Sequence, residues 1–144
     1  MVKRKDAFKA LLARCRSDKT AYLDAIIEFF MRTAVDCLLD RLVNLPNGMD
    51  TEGASQYLDA ISVLSEGNEA ALNPHLIVLV HFLESKQPGT VASTAALLSQ
   101  VLPHVPIGSV RALSGLVDLL TKTIVGGTET AVQAAIDCLF VYCS

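Results

Sequence analysis

The sequence has no tryptophan, and aromatic residues make up only 6% of it. A core built from it must therefore rest on Leu, Ala, Val and Ile, the usual packing residues of stacked helices. Charged residues are also scarce, at 19% against 51% apolar. That balance excludes a disordered chain, which has too little apolar surface to offset the entropy of ordering. No long apolar run is present. The strongest, residues 76–80 followed by His81-Phe82-Leu83, falls well short of the roughly 20 residues that cross a bilayer. The basic start Met1-Val2-Lys3-Arg4-Lys5 is not followed by an apolar segment with a small-residue cleavage site, so neither secretion nor a membrane is expected. Cysteine is sparse, and no Cys-x-x-Cys occurs. Cys15, Cys37, Cys138 and Cys143 fall in helical patterns and read as buried free thiols of an intracellular chain.

Signatures of chemistry are missing too. His75, His81 and His104 are not spaced as metal-binding pairs on a helix, and no Cys or carboxylate completes a ligand set. His75 reads as an exposed first-turn residue, His81 as a hydrogen-bonded packing residue, and His104 as a loop residue between two prolines. There is no Gly-x-Ser-x-Gly elbow and no glycine-rich phosphate loop. Asp36 and Asp40, four apart, read as a solvated edge beside Arg32 and Arg41. The expectation is a non-enzyme: no catalytic residues, no metal, no cofactor and no small-molecule substrate.

What is present is helical periodicity. Residues 3–16 place Ala7, Phe8, Leu11, Leu12 and Cys15 on one face. A long helix over 20–43 follows, with Leu23, Ile26, Ile27, Phe30, Ala34, Cys37, Leu38 and Leu42 as its expected buried stripe. Thr51 is expected to cap a helix over 51–65 that turns Tyr57, Leu58, Ile61 and Leu64 inward. Residues 69–72 add one turn. Pro74 suits the first turn of a helix over 74–84. Within it, Ile77-Val78-Leu79-Val80 fits a buried strand as well; helix is preferred because every neighbour is helical. Further helices are expected over 90–102, over 109–126 with Ser109 as cap and Gly126-Gly127 as stop, and from Thr128 to the end.

These elements pair as hairpins over 20–65, 74–102 and 108–143, behind a basic leading helix over 1–19. The second and third pairs begin 34 residues apart, near the period of helix-pair repeats. The fold expected is all-α: a right-handed stack of HEAT/armadillo-like helical-hairpin repeats, one α-solenoid segment over 1–144. In the last helix, Val132, Ala135, Ile136, Leu139 and Cys143 are expected inward. Ala134, Cys138 and Val141 are apolar off that stripe and form a candidate protein interface, as if the segment were cut from a longer solenoid.

Charge is uneven. Seven of the twelve basic residues, Lys3, Arg4, Lys5, Lys9, Arg14, Arg16 and Lys19, lie in the first nineteen positions, which carry about +5 with Asp6 and Asp18 included; the remainder carries about −8. One reading is an ordinary solvated face. The other is a weak, sequence-independent DNA contact through those seven residues.

Residues 58–141 resemble the HEAT region of the sister-chromatid cohesion loader (Nipped-B-like) family. The likeness rests on Asn73-Pro74-His75 leading to Phe82-Leu83 with Lys86 after it, and on the stop at Val101-Leu102-Pro103. It continues through Leu113, Leu116, Leu119, Leu120, Ile124 and Gly127, and through Ala131-Val132-Gln133 with Cys138-Leu139. Val80-His81-Phe82 departs from the family's Pro-Tyr, and residues 1–50 match nothing in it. Condensin HEAT subunits are a rival resemblance. The resemblance implies a nuclear, chromatin-associated scaffold that binds DNA and an SMC-type complex. The alternative is a generic protein-protein adaptor without nucleic-acid binding, and cytoplasmic; a self-contained helical bundle is a third reading.

Overall fold

A computed structural model describes residues 19–143 together with Asp6, Lys9 and Ala10; the side chains of 19–26 lie outside the description. The described residues are mostly helical, with no strand among them. The α-helices are α1 (Lys19–Val43), α2 (Ala54–Ser65), α3 (Leu76–His81), α4 (Pro88–Val101), α5 (Ile107–Arg111), α6 (Leu116–Gly126) and α7 (Glu129–Cys143). Short 3-10 turns lie at Gly48–Asp50, Glu69–His75, Phe82–Glu84 and Leu102–His104. The apolar run 76–80 is helix, not strand.

Helix boundaries follow local chemistry, in places differently from expectation. Pro88 opens α4, where its missing N–H costs nothing. Thr51 does not cap α2. Its hydroxyl oxygen instead accepts the Asn47 N–H at 3.2 Å, and Gly53, at φ 89°, turns the chain into a helix that begins at Ala54. The helix expected over 109–126 is two helices. Ser109 lies inside the five-residue α5, and Gly115, at φ 78°, re-aims the chain into α6. Leucine spacing runs unchanged through this break, so periodicity alone does not report it. Thr128 does cap α7, its hydroxyl oxygen accepting the Ala131 N–H at 3.4 Å.

The core is aliphatic. Leu42, Leu58, Ile61, Leu72, Leu79, Leu97, Leu98, Leu102, Leu116 and Leu120 are fully buried, each contributing about 1.5–3 kcal/mol of apolar transfer. Among the described side chains of α1, Val35, Leu39 and Leu42 are buried, while Ile27, Phe30, Met31 and Cys37 are exposed. Of the expected stripe, Leu42 is buried and Ala34 and Leu38 are half-buried, whereas Ile27, Phe30 and Cys37 face outward and the side chains of Leu23 and Ile26 lie outside the description. The twelve residues of α2 can cover only about half of a 25-residue α1. Apolar side chains on two flanks of α1 left the phase open.

Helix α1 packs on α2, α2 on α4, α4 on α7, and α6 on α7. The α2–α4 register is explicit: Gly89 lies against Ser55, the Ser93 hydroxyl donates to Asp59 Oδ1 at 2.9 Å, and Ser62 meets Gln100 at 2.6 Å. Partners advance together along both helices, so α2 and α4 run parallel. Their first residues, Ala54 and Pro88, are 34 apart, but Pro88 and Glu129 are 41 apart. The starts of α3 and α6 are 40 apart, not 34, because α5 and the Gly115 turn are inserted between the hairpins. The whole is compatible with a helical repeat.

Candidate functional site

The seven basic residues of the candidate DNA face are mostly beyond view. Lys9 is helical and exposed, as is Asp6, and Lys19 opens α1. Lys3, Arg4, Lys5, Arg14 and Arg16 lie outside the described residues.

The candidate protein interface on α7 is corrected. Ala134 is 7% exposed and Cys138 is 0% exposed. Helix α7 lies between α4 and α6, and this flank is turned onto α4, where the Cys138 thiol points at the Ala95 carbonyl at 3.9 Å. Burial, and secondarily the charge of Asp137, pushes that thiol up to about 12. Val141 is half-buried against the core. Of the residues expected inward, Ala135 is buried, Val132, Ile136 and Leu139 are half-buried, and Cys143 is exposed. A helix covered on two sides hides both of its apolar flanks, which a single-stripe reading cannot anticipate. Cys37 and Cys143 likewise correct the expectation of buried thiols.

The histidines also differ from expectation. His75 is half-buried, with Nε2 2.7 Å from Asp36 Oδ1, and ties the turn before α3 to α1. Asp36 is therefore not a simple solvated edge. Cys37 lines the same groove. His81 is exposed, 3.3 Å from Glu84, rather than a packing residue. His104 lies 3.9 Å from Glu69. The Glu69 carboxyl is held below its ordinary range chiefly by its own backbone N–H; desolvation opposes this, and the Gly67 N–H and the His104 charge add to it. Among the described residues no three His, Cys, Asp or Glu side chains cluster as a metal would require, and no helix is long and apolar enough to cross a membrane.

The most organised polar arrangement joins the turn after α1 to the turn before α4. Asp50 Oδ1 accepts the Lys86 N–H at 2.7 Å and the Ser85 hydroxyl at 3.2 Å. The Ser85 hydroxyl also lies 2.7 Å from the Met49 carbonyl, and its oxygen accepts the Gln87 N–H at 3.1 Å. The Gln87 side-chain amide donates to the Asp50 carbonyl at 3.2 Å. On the other flank of the same turn lies an open cleft of about 510 Å³, bounded by Lys86, Lys122 and the Gly126-Gly127-Thr128 turn. Sequence reasoning found neither feature, and the helix it began at residue 90 starts two residues earlier, at Pro88. Asp50 and Lys86 are 36 residues apart, and no local spacing signals their meeting.

Compared with protein-family models, with curated proteins and with solved structures, the chain matches none.

Proposed function

We propose that the chain is a non-catalytic scaffold of HEAT/armadillo-like helical hairpins that holds macromolecular partners on its helix faces. The observation that carries this reading is the packing order: α2, α4 and α7 lie side by side, with α1 and α6 flanking the two ends. Stacking of this kind builds long, continuous faces, the surfaces that repeat proteins use for binding. The partner is a protein. In the narrower form suggested by the loader resemblance, the partner is an SMC-type complex and the location nuclear; that form rests on the leucine and Val132-Gln133 pattern of residues 58–141.

The test is photo-crosslinking in the producing cell, with a photoreactive residue at Ala96 on α4 or at Val125 on α6, both exposed. A scaffold gives discrete adducts of defined mass at one or both positions. Absence of protein adducts at both overturns the reading.

A second reading adds DNA contact at the leading segment. It is favoured by one observation: the basic residues are concentrated in positions 1–19, and the remainder of the chain, at about −8, repels a polyanion.

A further inference from the structure

We infer that the cleft between the α3–α4 turn and the start of α7 docks an acidic segment of a protein partner, one carboxylate seating between Lys86 and Lys122. The inference rests on the scaffold reading and names the chemistry of its partner.

Only five basic residues follow Lys19: Arg32, Arg41, Lys86, Arg111 and Lys122. Two of the five line this one cleft, from different elements, and no acidic residue among the described residues lines it. Neither lysine forms an ion pair among the described residues. The part of the chain after Lys19 carries about −8 with these two lysines counted, so such a pair of cations is the exception to its prevailing field. Both α4 and α7 begin at the cleft, adding the positive ends of two helix dipoles. Glu129, the acid in the first turn of α7, lines a different groove, shared with Ala96 and Ser99.

The molecule supplies its own precedent. On the opposite flank of the same turn the Asp50 carboxylate sits against the Lys86 N–H and the Ser85 hydroxyl. There, an acid from the preceding hairpin closes the joint. At the next joint the preceding hairpin's turn offers Glu84, which lines a separate groove with Asp118 and Lys122; no acid among the described residues lines the cleft, and the space stays open. A carboxylate from outside would complete the second joint as Asp50 completes the first. The floor of the cleft is apolar, formed by Leu83, Val91 and Ala131. A carboxylate with an apolar neighbour matches both parts. A nucleic-acid backbone matches only the lysines, and duplex affinity needs many phosphates neutralised rather than one or two.

The experiment uses the full chain labelled with ¹⁵N. It is titrated with a peptide of alternating Glu and Leu, with the same peptide carrying Lys for Glu, and with a short DNA duplex. The expected result is movement of the amide signals of Lys86, Gly126, Gly127 and Thr128 with the acidic peptide, and none with the basic one. The double variant Lys86→Glu/Lys122→Glu should weaken acidic-peptide binding at least tenfold. The milder Lys86→Gln/Lys122→Gln, which keeps the helical spectrum should the reversal not, should weaken it several-fold. Binding that leaves those amides unmoved, or that survives both variants, overturns the inference. So does a duplex that moves the same amides while the acidic peptide does not. Photo-adducts at Ala96 or Val125 without peptide binding at the cleft would leave the scaffold and remove the acidic site. Peptide binding at the cleft without any adduct would do the reverse.

Discussion

At the scale of single residues, burial separates side chains of the same type. The Cys138 thiol is enclosed and pushed up to about 12, so almost none of it is thiolate at neutral pH. Cys37 and Cys143 are exposed. Iodoacetamide on the native chain, read by peptide mass spectrometry, should label Cys37 and Cys143 and spare Cys138 until denaturant is added. Labelling of Cys138 at the same rate as Cys143 would contradict the packing of α7 on α4. Gly127 makes a second such case. A Cβ there would lie 2.4 Å from the Thr123 carbonyl oxygen, a backbone atom that no side-chain rotation can move away. Gly127→Ala should therefore cost about 2 kcal/mol, seen as a lower urea midpoint with an unchanged slope. The glycine pair was legible as a helix stop. The need for glycine at 127 was not, because it comes from the close return of the chain onto α6.

At the scale of elements, the joint between the first two hairpins depends on Asp50. Its carboxylate accepts a backbone N–H at 2.7 Å and a hydroxyl at 3.2 Å from the turn before α4. Asp50→Ala leaves the Lys86 N–H without that acceptor, while the Ser85 hydroxyl keeps the Met49 carbonyl at 2.7 Å, and should cost about 1.5 kcal/mol, at the low end for a bond to a charged acceptor. Hydrogen exchange should rise first at the Lys86 amide. Asp50→Asn keeps one oxygen acceptor and should recover part of the loss; equal exchange in wild type and Asp50→Ala would refute the role. Elements were the most legible level of this chain. The helices expected over 20–43, 51–65, 90–102 and from Thr128 onward are found over 19–43, 54–65, 88–101 and 129–143. Their facing was less legible. Val35 and Leu39, not Ile27 and Phe30, are buried in α1, and Ala134 and Cys138 are buried in α7. Where apolar residues occupy two flanks, the sequence allows two phases, and only the neighbouring helices choose between them. The pairings of Asp50 with Lys86 and of Lys86 with Lys122 were invisible, because tertiary packing alone brings the turn at Lys86 to the Asp50 turn and to α6.

At the scale of the whole molecule, the dominant feature is charge separation, about +5 in the first nineteen positions against about −8 in the rest. This gives the DNA reading a sharp consequence. Any duplex contact must run through Lys3, Arg4, Lys5, Lys9, Arg14, Arg16 and Lys19, because the remainder repels phosphate at low salt, where screening is weakest. Binding should be weak and indifferent to sequence, since backbone contacts carry no base information. Each phosphate neutralised adds about 0.9 to the slope of log affinity against log salt. A few engaged side chains then give a slope of about 2 to 4 in fluorescence anisotropy with a labelled duplex. Reversing charge at Lys5→Glu, Lys9→Glu and Arg16→Glu together should abolish binding and leave the helical circular dichroism intact. The Lys86→Gln/Lys122→Gln variant should leave it unchanged, because that cleft is set in the acidic part of the chain. If the duplex is not bound at low salt, or is bound equally well after the triple reversal, the leading segment is a solvated helix face. The scaffold then works through protein contacts alone.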